Sequence, residues 1–273
     1  MEIKNKKICF VGLGYIGLPT AALLAANKYD VLGVDINPKI VANINQGNTH
    51  IIEADLDKLL KSSIDSKKLK ASVSPELSDI YIICVPTPFK YNKGRPEPDI
   101  KFIFDAVESI SNLLKPNDII ILESTSPVGT TELIKETLKS KIINLDSIYI
   151  AYCPERVLPG KTLSELISND RVVGGINNES TNKAAEFYKS FVTGEIKKTD
   201  SKTAEMCKLT ENSFRDTNLA FANEISIICE KQGINVWNLI DLANRHPRVN
   251  ILQPGSGVGG HCIAVDPWFI VAQ

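Results

Sequence analysis

The sequence predicts an α/β protein in which a doubly wound parallel sheet is followed by an all-helical domain. In the first half of the chain, short apolar runs alternate with helical stretches, which is typical of parallel strands joined by right-handed helical crossovers. The runs are almost continuously apolar, as expected when helices cover both faces of a sheet. After about Thr199 the strand signals stop. We therefore expect a sheet domain over residues 1–199 and a helical domain over residues 200–273.

Short apolar runs mark the expected strands, and they lie at Lys7–Val11, 31–35, 80–85, Ile119–Leu122, 148–152, 171–174 and 195–198. A helix over 17–27 connects the first two. The helical domain begins with a long helix over Ser201–Gln232, for which Ser201 or Thr203 offers a cap and Gly233 a left-handed stop. A shorter helix follows over 236–244. The final residues resemble the start of another helix, so we expect the chain to be part of a longer protein.

The charge balance excludes several classes of protein. Lysine and arginine number 31 and aspartate and glutamate number 32, so the net charge is −1, unlike that of a basic nucleic-acid-binding protein. The longest apolar runs fall far short of the roughly 20 residues that cross a bilayer, and the N-terminus has no secretory segment. We expect a cytoplasmic protein that binds neither nucleic acid nor membranes.

The six cysteines are scattered along the chain, and no two of them are closer than 22 residues. This spacing excludes CxxC redox motifs and zinc ribbons, and a cytoplasmic location disfavours disulfide bonds. We therefore expect six free thiols and no metal site.

A glycine-rich turn follows the first strand. Gly12, Gly14 and Gly17 form the pattern GxGxxG between that strand and an alanine-rich helix, and Asp35 ends the next strand. Gly12 permits a tight turn, Gly14 lets the backbone approach a pyrophosphate, and Gly17 allows close packing of helix on strand. The helix N-terminus offers amide groups to the phosphates. Because Asp35 can bind a ribose 2′-hydroxyl and would repel a 2′-phosphate, the sequence predicts a Rossmann fold that binds NAD rather than NADP.

Two further loops follow strands at the edge of the sheet where doubly wound proteins bind ligands. Thr87 lies between two prolines after the run at 80–85, and Thr125 lies in a loop rich in Ser, Pro and Gly after Ile119–Leu122. Both threonines are candidates for contact with the cofactor. A helix-capping role without a ligand explains each of them equally well.

A polar stripe lies on the long helix. Lys208, Asn212 and Arg215 are spaced i, i+4 and i+7, which places them within an arc of about 60° on one face. A stripe of this kind is usually a solvated face. Cationic donors on either side of an amide also suit an anionic or sugar-like ligand, so the spacing leaves both interpretations open.

The glycine-rich loop near residue 260 is a second candidate site. Four glycines between 255 and 260 allow a ligand to approach closely, and Cys262 follows at the expected start of a helix. Helix N-termini lower the pKa of a thiol, and the thiolate is the nucleophile. Asp266 lies one turn further along the same face. A buried cysteine in a glycine-rich turn is the competing interpretation.

Six motifs occur in a fixed order along the whole chain: 12–17 with Asp35, 86–88 (PTP), 123–130 (ESTSPVGT), 153–156 (CPER), 205–212 (EMCKLTEN) and 259–262 (GGHC). This combination resembles the UDP-glucose/GDP-mannose dehydrogenase family. The resemblance implies NAD-dependent oxidation of the C6 alcohol of a nucleotide sugar to a carboxylate in two hydride transfers. Cys262 would hold the carbon as a thiohemiacetal and then as a thioester. The family's third domain, which helps to hold the nucleotide, is not among these 273 residues.

The resemblance also implies roles for individual residues. It assigns Lys208 to acid–base catalysis or oxyanion stabilisation, Asn212 to the oxyanion or the attacking water, and Asp266 to the support of Cys262. The residues implied in substrate binding are Glu155, Arg156, Val157, Lys208, Asn212, Arg215, His246, Arg248 and Gly259. Those implied in NAD binding are Gly12, Gly14, Tyr15, Ile16, Gly17, Asp35, Thr87 and Thr125.

One departure from the family pattern bears on the sugar. Glucose-oxidising members carry a glutamate a few residues after the Pro-Glu pair, where this chain reads RVLPG from Arg156. Loss of that carboxylate favours a UDP-linked N-acetylhexosamine, and the choice between manno and gluco configurations rests on resemblance alone. An inactive NAD-binding module and a two-electron dehydrogenase of the 6-phosphogluconate type are the alternatives.

The long helix also carries apolar residues outside the polar stripe, at Met206, Leu209, Phe214 and Phe221. Such residues suit a subunit interface as well as an internal core. Because members of the family usually dimerise through this helix, the resemblance implies a homodimer.

Overall fold

The computed structural model describes residues 5–92, 94–139, 141, 145–260 and 262–272. Within these residues the strands are Lys7–Val11 (β1), Asp30–Val34 (β2), Leu69–Ser72 (β3), Ile80–Ile83 (β4), Phe89–Asn92 (β5), Arg95–Pro98 (β6), Ile119–Leu122 (β7), Tyr149–Tyr152 (β8), Arg171–Gly175 (β9) and Ile196–Asp200 (β10).

The α-helices of the described ranges are Gly17–Ala26 (α1), Pro38–Asn45 (α2), Leu56–Asp65 (α3), Lys101–Ser111 (α4), Thr130–Lys139 (α5), Thr162–Ser168 (α6), Asn178–Lys189 (α7), Ser201–Gln232 (α8), Val236–Ala243 (α9) and Pro267–Val271 (α10). The long helix α8 has the bounds expected from the sequence. It is followed by Gly233, whose φ of +68° is the left-handed conformation that glycine adopts without steric cost.

Eight strands form one sheet in the order β10-β9-β8-β7-β4-β1-β2-β3. Neighbouring strands are parallel except β8 and β9, which run antiparallel. The expected doubly wound parallel sheet is therefore confirmed, and among the described strands the β8–β9 pair departs from it. The direction of a strand depends on the end of the sheet at which its connection returns, and an apolar run does not encode that.

The sheet is buried on both faces. Ile8 and Phe10 belong to one apolar cluster, whose other members include residues of α1, α3 and α7. Cys9 and Val11, which alternate with them along β1, belong to a second cluster that includes residues of α4 and α5. This two-sided burial explains the continuous apolar runs. Parallel pairing places β1, β4 and β7 side by side, so the loops at their carboxyl ends leave the same edge of the sheet.

The chain divides into two compact units. The first comprises residues 1–88 and 99–206 and contains the sheet, and the second comprises residues 89–98 and 207–273. Within the second unit, β5 and β6 form an antiparallel hairpin with Phe89 opposite Pro98. Helices α8 and α9 share a small apolar cluster centred on Cys229, Val236 and Ile240. The hairpin is not among the elements expected from the sequence.

The first turn of α8 is capped by an acidic side chain. Asp200 accepts the N–H of Thr203 at 2.9 Å through Oδ1 and the hydroxyl of the same residue at 2.6 Å through Oδ2. The expectation that Ser201 or Thr203 caps this helix is therefore wrong. A carboxylate at the preceding residue is the better acceptor, because it interacts favourably with the positive end of the helix dipole.

A second acidic side chain of α8 caps a different helix. Glu205 is fully buried, and its carboxylate accepts the N–H of Gly129 at 2.5 Å, the N–H of Thr131 at 2.7 Å and the hydroxyl of Thr131 at 2.6 Å. Burial raises the pKa of Glu205, and these hydrogen bonds oppose the rise. Glu205 therefore satisfies amides at the start of α5 that the helix itself leaves unpaired.

The described residues contain neither a membrane-spanning helix nor a metal-binding cluster. None of the helices is long and apolar enough to cross a membrane. No group of three or more His, Cys, Asp or Glu side chains in those ranges could hold a metal ion.

Replacement of Glu205 tests the cap of α5. Glu205→Ala should lower the free energy of unfolding by about 2–3 kcal/mol, because buried donors of Gly129 and Thr131 lose their acceptor. Denaturant unfolding followed by circular dichroism measures the change. The control is Glu186→Ala on the exposed side of α7, where a surface ion pair contributes little and the change should stay within about 0.5 kcal/mol. Equal effects of the two substitutions would contradict this assignment.

Candidate functional site

The glycine turn after β1 has three distinct environments. Gly12 has a φ of +103°, and a Cβ there would lie 2.4 Å from the carbonyl oxygen of Cys84. A Cβ on Gly17 would lie 1.9 Å from the carbonyl oxygen of Gly12. Gly14 is exposed, and a Cβ on it would meet no atom within 4 Å. The turn is therefore closed around Gly12 and Gly17 and open at Gly14, as binding of a dinucleotide pyrophosphate requires.

Asp35 lies beside this turn. Its Oδ2 accepts the N–H of Leu13 at 3.3 Å, and its Oδ1 accepts the N–H of Asn37 at 2.9 Å. The carboxylate is thus fixed at the carboxyl end of β2, next to the residue that follows Gly12. Tyr15 and Ile16 complete the turn before α1, and the Tyr15 side chain is exposed. This arrangement fits the ribose and pyrophosphate of NAD.

Thr87 and Thr125 lie on the loops after β4 and β7, and both are half-buried. Ser124 joins these two loops, because its hydroxyl accepts the N–H of Val85 at 2.9 Å and donates to the carbonyl of Ile83 at 3.3 Å. Within the described ranges the buried hydroxyl of Ser126 has no hydrogen-bond partner. The polar groups of the Ser124–Ser126 stretch are therefore held at the ligand-binding edge of the sheet.

An ion pair in the core determines the position of Glu155. Its Oε2 lies 2.6 Å from Nη1 of Arg171, and its Oε1 accepts the N–H of Arg156 at 2.6 Å. Both charged side chains are almost fully buried, and Arg171 also donates to the carbonyl of Leu166 at 3.1 Å. Glu155 therefore holds the backbone of Arg156, which the family resemblance implicates in substrate binding.

Glu123 is a buried acid that begins the motif at 123–130, and the sequence predicted no role for it. Its carboxylate accepts the hydroxyl of Tyr188 at 2.6 Å and the thiol of Cys84 at 3.1 Å. Burial raises the pKa of Glu123, the charge of Glu155 raises it further, and Arg171 opposes both effects. Glu123 immediately precedes the loop that carries Thr125, so this network ties that loop to α7. The signal available in the sequence was a glutamate at the end of an apolar strand.

The polar stripe on α8 is not a solvated face at Asn212. This side chain is 5% exposed, and its Nδ2 donates to Oδ2 of Asp266 at 2.5 Å. Burial raises the pKa of Asp266, while the bond from Asn212 and the charge of Lys208 lower it. The structure thus brings Lys208, Asn212 and Asp266 together in the second unit.

Cys262 lies at the start of a helical turn, and it is exposed. Its carbonyl accepts the N–H of Val265 at 3.0 Å and that of Asp266 at 2.9 Å. The expectation of a lowered thiol pKa is wrong: desolvation by the surrounding protein raises it, Asp266 raises it further, and Lys208 and Arg215 lower it. That expectation rested on a helix start at Cys262, whereas helix α10 begins at Pro267 and residues 263–266 form a turn.

Asparagines hold the long loop between α9 and Cys262. Asn218 of α8 donates to the carbonyl of Asn250 at 2.8 Å and accepts the N–H of Leu252 at 3.0 Å. Asn223 accepts the N–H of Gly255 at 2.9 Å, and Asn244 bonds both backbone groups of Ile251. These positioning residues were missed, because an asparagine on a polar helix face has no distinctive sequence signal.

The remaining candidate residues occupy exposed positions. Arg215 extends the α8 stripe, His246 and Arg248 lie on the loop after α9, and a Cβ on Gly259 would meet nothing within 4 Å. The Arg248 N–H donates to Nδ1 of His246 at 3.3 Å. His261, which belongs to the GGHC motif, lies outside the described residues.

The sheet order and the glycine turn define a dinucleotide-binding α/β protein, with a second unit that carries an exposed thiol. The chain belongs to the UDP-glucose/GDP-mannose dehydrogenase family: the family's NAD binding domain matches residues 6–192 and its central domain matches residues 202–273. The match to the NAD binding domain confirms the cofactor expected from the sequence.

Individual relatives are similar over nearly the whole chain. The UDP-N-acetyl-D-mannosamine dehydrogenase of Yersinia pestis is 57% identical over 97% of this chain and 65% of its own length. The NDP-N-acetyl-D-galactosaminuronic acid dehydrogenase of Ralstonia nicotianae is 52% identical over 99% and 66%. The solved UDP-D-ManNAc dehydrogenase of Pyrococcus horikoshii superposes with a TM-score of 0.91 at 42% identity, over 96% of this chain and 63% of that one. The chain thus spans about 65% of the length of the curated relatives it matches.

Two glycine substitutions separate folding from cofactor binding. Gly17→Ala should lower the free energy of unfolding by about 2 kcal/mol or more, because the new Cβ collides with the backbone at Gly12. Gly14→Ala should leave the unfolding temperature unchanged, since its Cβ meets open space, and should weaken NAD binding at least about ten-fold. Thermal unfolding and isothermal calorimetry measure the two effects. Wild-type NAD affinity in Gly14→Ala would show that the pyrophosphate does not approach there.

The pH dependence of alkylation tests the surroundings of Cys262. A raised pKa means less thiolate at a given pH, so labelling by iodoacetamide should reach its midpoint above the ordinary value of 9.0. Asp266→Asn should move the midpoint down, and Lys208→Met should move it up, because each removes one opposing charge. Mass spectrometry of the Cys262 peptide gives the rates. Shifts in the same direction in both variants would contradict this electrostatic assignment.

Proposed function

We propose that this chain forms the NAD-binding and catalytic parts of an enzyme that oxidises the C6 alcohol of UDP-N-acetyl-D-mannosamine. The product is UDP-N-acetyl-D-mannosaminuronic acid, for the synthesis of a cell-surface polysaccharide. The observation that carries the proposal is an exposed thiol, Cys262, on the turn whose Asp266 carboxylate accepts a hydrogen bond from Asn212 of α8. The similarity to the Yersinia pestis enzyme supports the choice of sugar.

The reaction removes four electrons from one carbon. An alcohol, one water and two NAD⁺ give a carboxylate, two NADH and three protons. NAD supplies the hydride acceptor when it is bound, and Gly12, Gly14, Gly17 and Asp35 would hold it. A covalent bond to the protein keeps the half-oxidised carbon in place between the two oxidations.

Side chains of the protein stabilise the charge that develops at C6 and accept the protons that leave. We assign Lys208 and Asn212 to the oxygen that becomes negatively charged, which an ammonium and an amide N–H both stabilise. The thiol of Cys262 adds to the aldehyde carbon to form a thiohemiacetal. Because desolvation and Asp266 favour the neutral thiol, its proton must leave as the C–S bond forms, and we assign Asp266 to accept it. Hydrolysis of the later thioester regenerates the thiol.

Cationic and backbone groups suit the rest of the substrate. Arg156, Arg215 and Arg248 carry guanidinium groups that pair with phosphate oxygens through two parallel hydrogen bonds. His246 adds a ring nitrogen, and Gly259 allows close approach of the backbone. We assign these residues to the sugar nucleotide, together with the N–H of Val157. Glu155 contributes by holding Arg156.

We also propose that the enzyme is a cytoplasmic homodimer. Along α8 and α9, large apolar side chains are exposed in the chain: Phe214 (63%), Phe221 (50%), Trp237 (59%) and Leu242 (64%). Exposed apolar patches of this kind are typical of protein–protein interfaces. A second copy of the same surface would cover them, as the family resemblance implies.

The stoichiometry of NADH production tests the proposal. UDP-N-acetyl-D-mannosamine should yield two NADH per sugar at 340 nm, and UDP-N-acetylglucosamine and UDP-glucose should react more slowly. Cys262→Ser should lower acid formation by at least about 1,000-fold, because the covalent step is lost, while NAD binding is retained. The matched control is Cys207→Ser on α8, which should keep its activity.

Two outcomes would overturn this function. One NADH per sugar, with normal turnover in Cys262→Ala, would identify a two-electron dehydrogenase. NAD binding without turnover, both in the 273-residue chain and in a version extended beyond residue 273, would identify an inactive module.

A further inference from the structure

The segment of residues 156–162, which follows β8 and ends at the first residue of α6, is held by carboxylates at alternate backbone amides. The N–H of Arg156 donates to Glu155 (2.6 Å), that of Leu158 to Glu165 (2.8 Å), and those of Gly160 and Thr162 to Glu53 (2.9 Å each). Most of this segment is neither helix nor strand, so side chains supply acceptors that a sheet or a helix would otherwise provide.

The acceptors come from separate parts of the chain. Glu53 precedes α3, more than one hundred residues from its partners, and it also accepts the hydroxyl of Thr162 at 2.9 Å. Glu165 lies within α6. Burial acts to raise the pKa of Glu53, but the bonds from Gly160 and Thr162 lower it overall. The carboxylate is therefore ionised near neutral pH, and hydrogen bonds to an ionised acceptor are stronger than neutral ones.

The backbone N–H of Val157 lies between the hydrogen-bonded N–H groups of Arg156 and Leu158, and its own environment is different. Within the described part of the chain, the N–H of Val157 has no hydrogen-bond acceptor, whereas both of its neighbours in the segment donate to carboxylates. The Arg156 side chain is held as well, since its Nη1 donates to the carbonyl of Asp170 at 3.3 Å. The segment thus presents one unused amide and one oriented guanidinium.

We propose that Glu53 and Glu165 are positioning residues, which hold the 156–162 segment so that the Val157 N–H and the Arg156 guanidinium meet the sugar nucleotide. This inference rests on the proposed function. It adds two residues that lie outside the six motifs. Neither glutamate touches the reacting atoms, so each acts on affinity for the sugar nucleotide and not on the chemical step.

The two glutamates differ in how many of their hydrogen bonds a glutamine at the same position can preserve. Glu165 accepts the Leu158 N–H through Oε2 alone, so the single oxygen of a glutamine can take its place. Glu53 uses Oε1 for the Thr162 N–H and Oε2 for the Gly160 N–H, so a glutamine keeps only one of the two. The proposal therefore requires a graded rescue, complete at position 165 and partial at position 53.

The experiment measures KM, kcat and NAD affinity in the full-length protein. Glu53→Ala and Glu165→Ala should each raise KM for UDP-N-acetyl-D-mannosamine about ten-fold, with kcat and NAD affinity within about two-fold, because binding is lost equally in the ground and transition states. Glu165→Gln should restore wild-type KM, and Glu53→Gln should restore about half of the effect on a logarithmic scale. The control is Glu136→Ala on α5, an exposed glutamate outside this segment.

Limited trypsin digestion separates failure of this proposal from failure of the proposed function. Without substrate, cleavage after Arg156 and Lys161 should be several-fold faster in both alanine variants than in the wild type and the Glu136 control, because the released segment reaches the protease. Faster cleavage with unchanged KM would overturn the positioning role and leave the function standing. Unchanged cleavage would show that the carboxylates do not hold the segment. A wild-type protein that does not bind the sugar nucleotide would refute both proposals.

Discussion

The hydrogen bond from the Asn212 amide to the Asp266 carboxylate is the interaction on which the candidate catalytic geometry depends. It joins residues 54 positions apart and fixes the turn that carries Cys262 against α8. An unpaired buried carboxylate would be costly, so this bond also makes burial of Asp266 possible. Because Asp266 in turn acts on the thiol, one amide on the long helix influences both the place and the protonation of Cys262. The hydrogen bond between Asn212 and Asp266 therefore affects both the position of Cys262 and the pKa of its thiol.

In the first unit, too, buried charged side chains hold the segments near the candidate site in position. Arg171 and Glu155 form an ion pair in the core, and Glu123 lies close enough for its pKa to respond to both. Removing charges from water costs free energy that the pairing only partly returns, so such a group is weak evidence for stability. These buried charged residues instead hold neighbouring segments in position. Glu155 accepts the backbone N–H of Arg156, and Glu123 at the end of β7 accepts the hydroxyl of Tyr188. The buried charges organise the loops at the ligand-binding edge.

The sequence pattern predicted those features of the structure that neighbouring residues along the chain determine. The glycine turn, the apolar strands and the bounds of α8 follow from spacing and periodicity, so they could be read from the residues. The hairpin of β5 and β6 could not, because its strands are polar and contain Pro96 and Pro98, which ordinarily argue against a strand. The direction of β9 and the raised pKa of Cys262 depend on residues distant in sequence or on burial, and neither quantity is encoded in a motif.

The carboxylate of Glu205 at the start of α5 has a consequence for anion recognition in this fold. Two helices, α1 and α5, begin just after strands that end at the same edge of the sheet, and both could in principle attract a phosphate. In α5 the amides of that electropositive end already donate to the carboxyl group of Glu205 inside the protein. We therefore expect a diphosphate at this edge to bind at the start of α1 and not at the start of α5. A buried carboxyl group that caps one helix thus makes the fold selective between two helix N-termini at the same edge of the sheet.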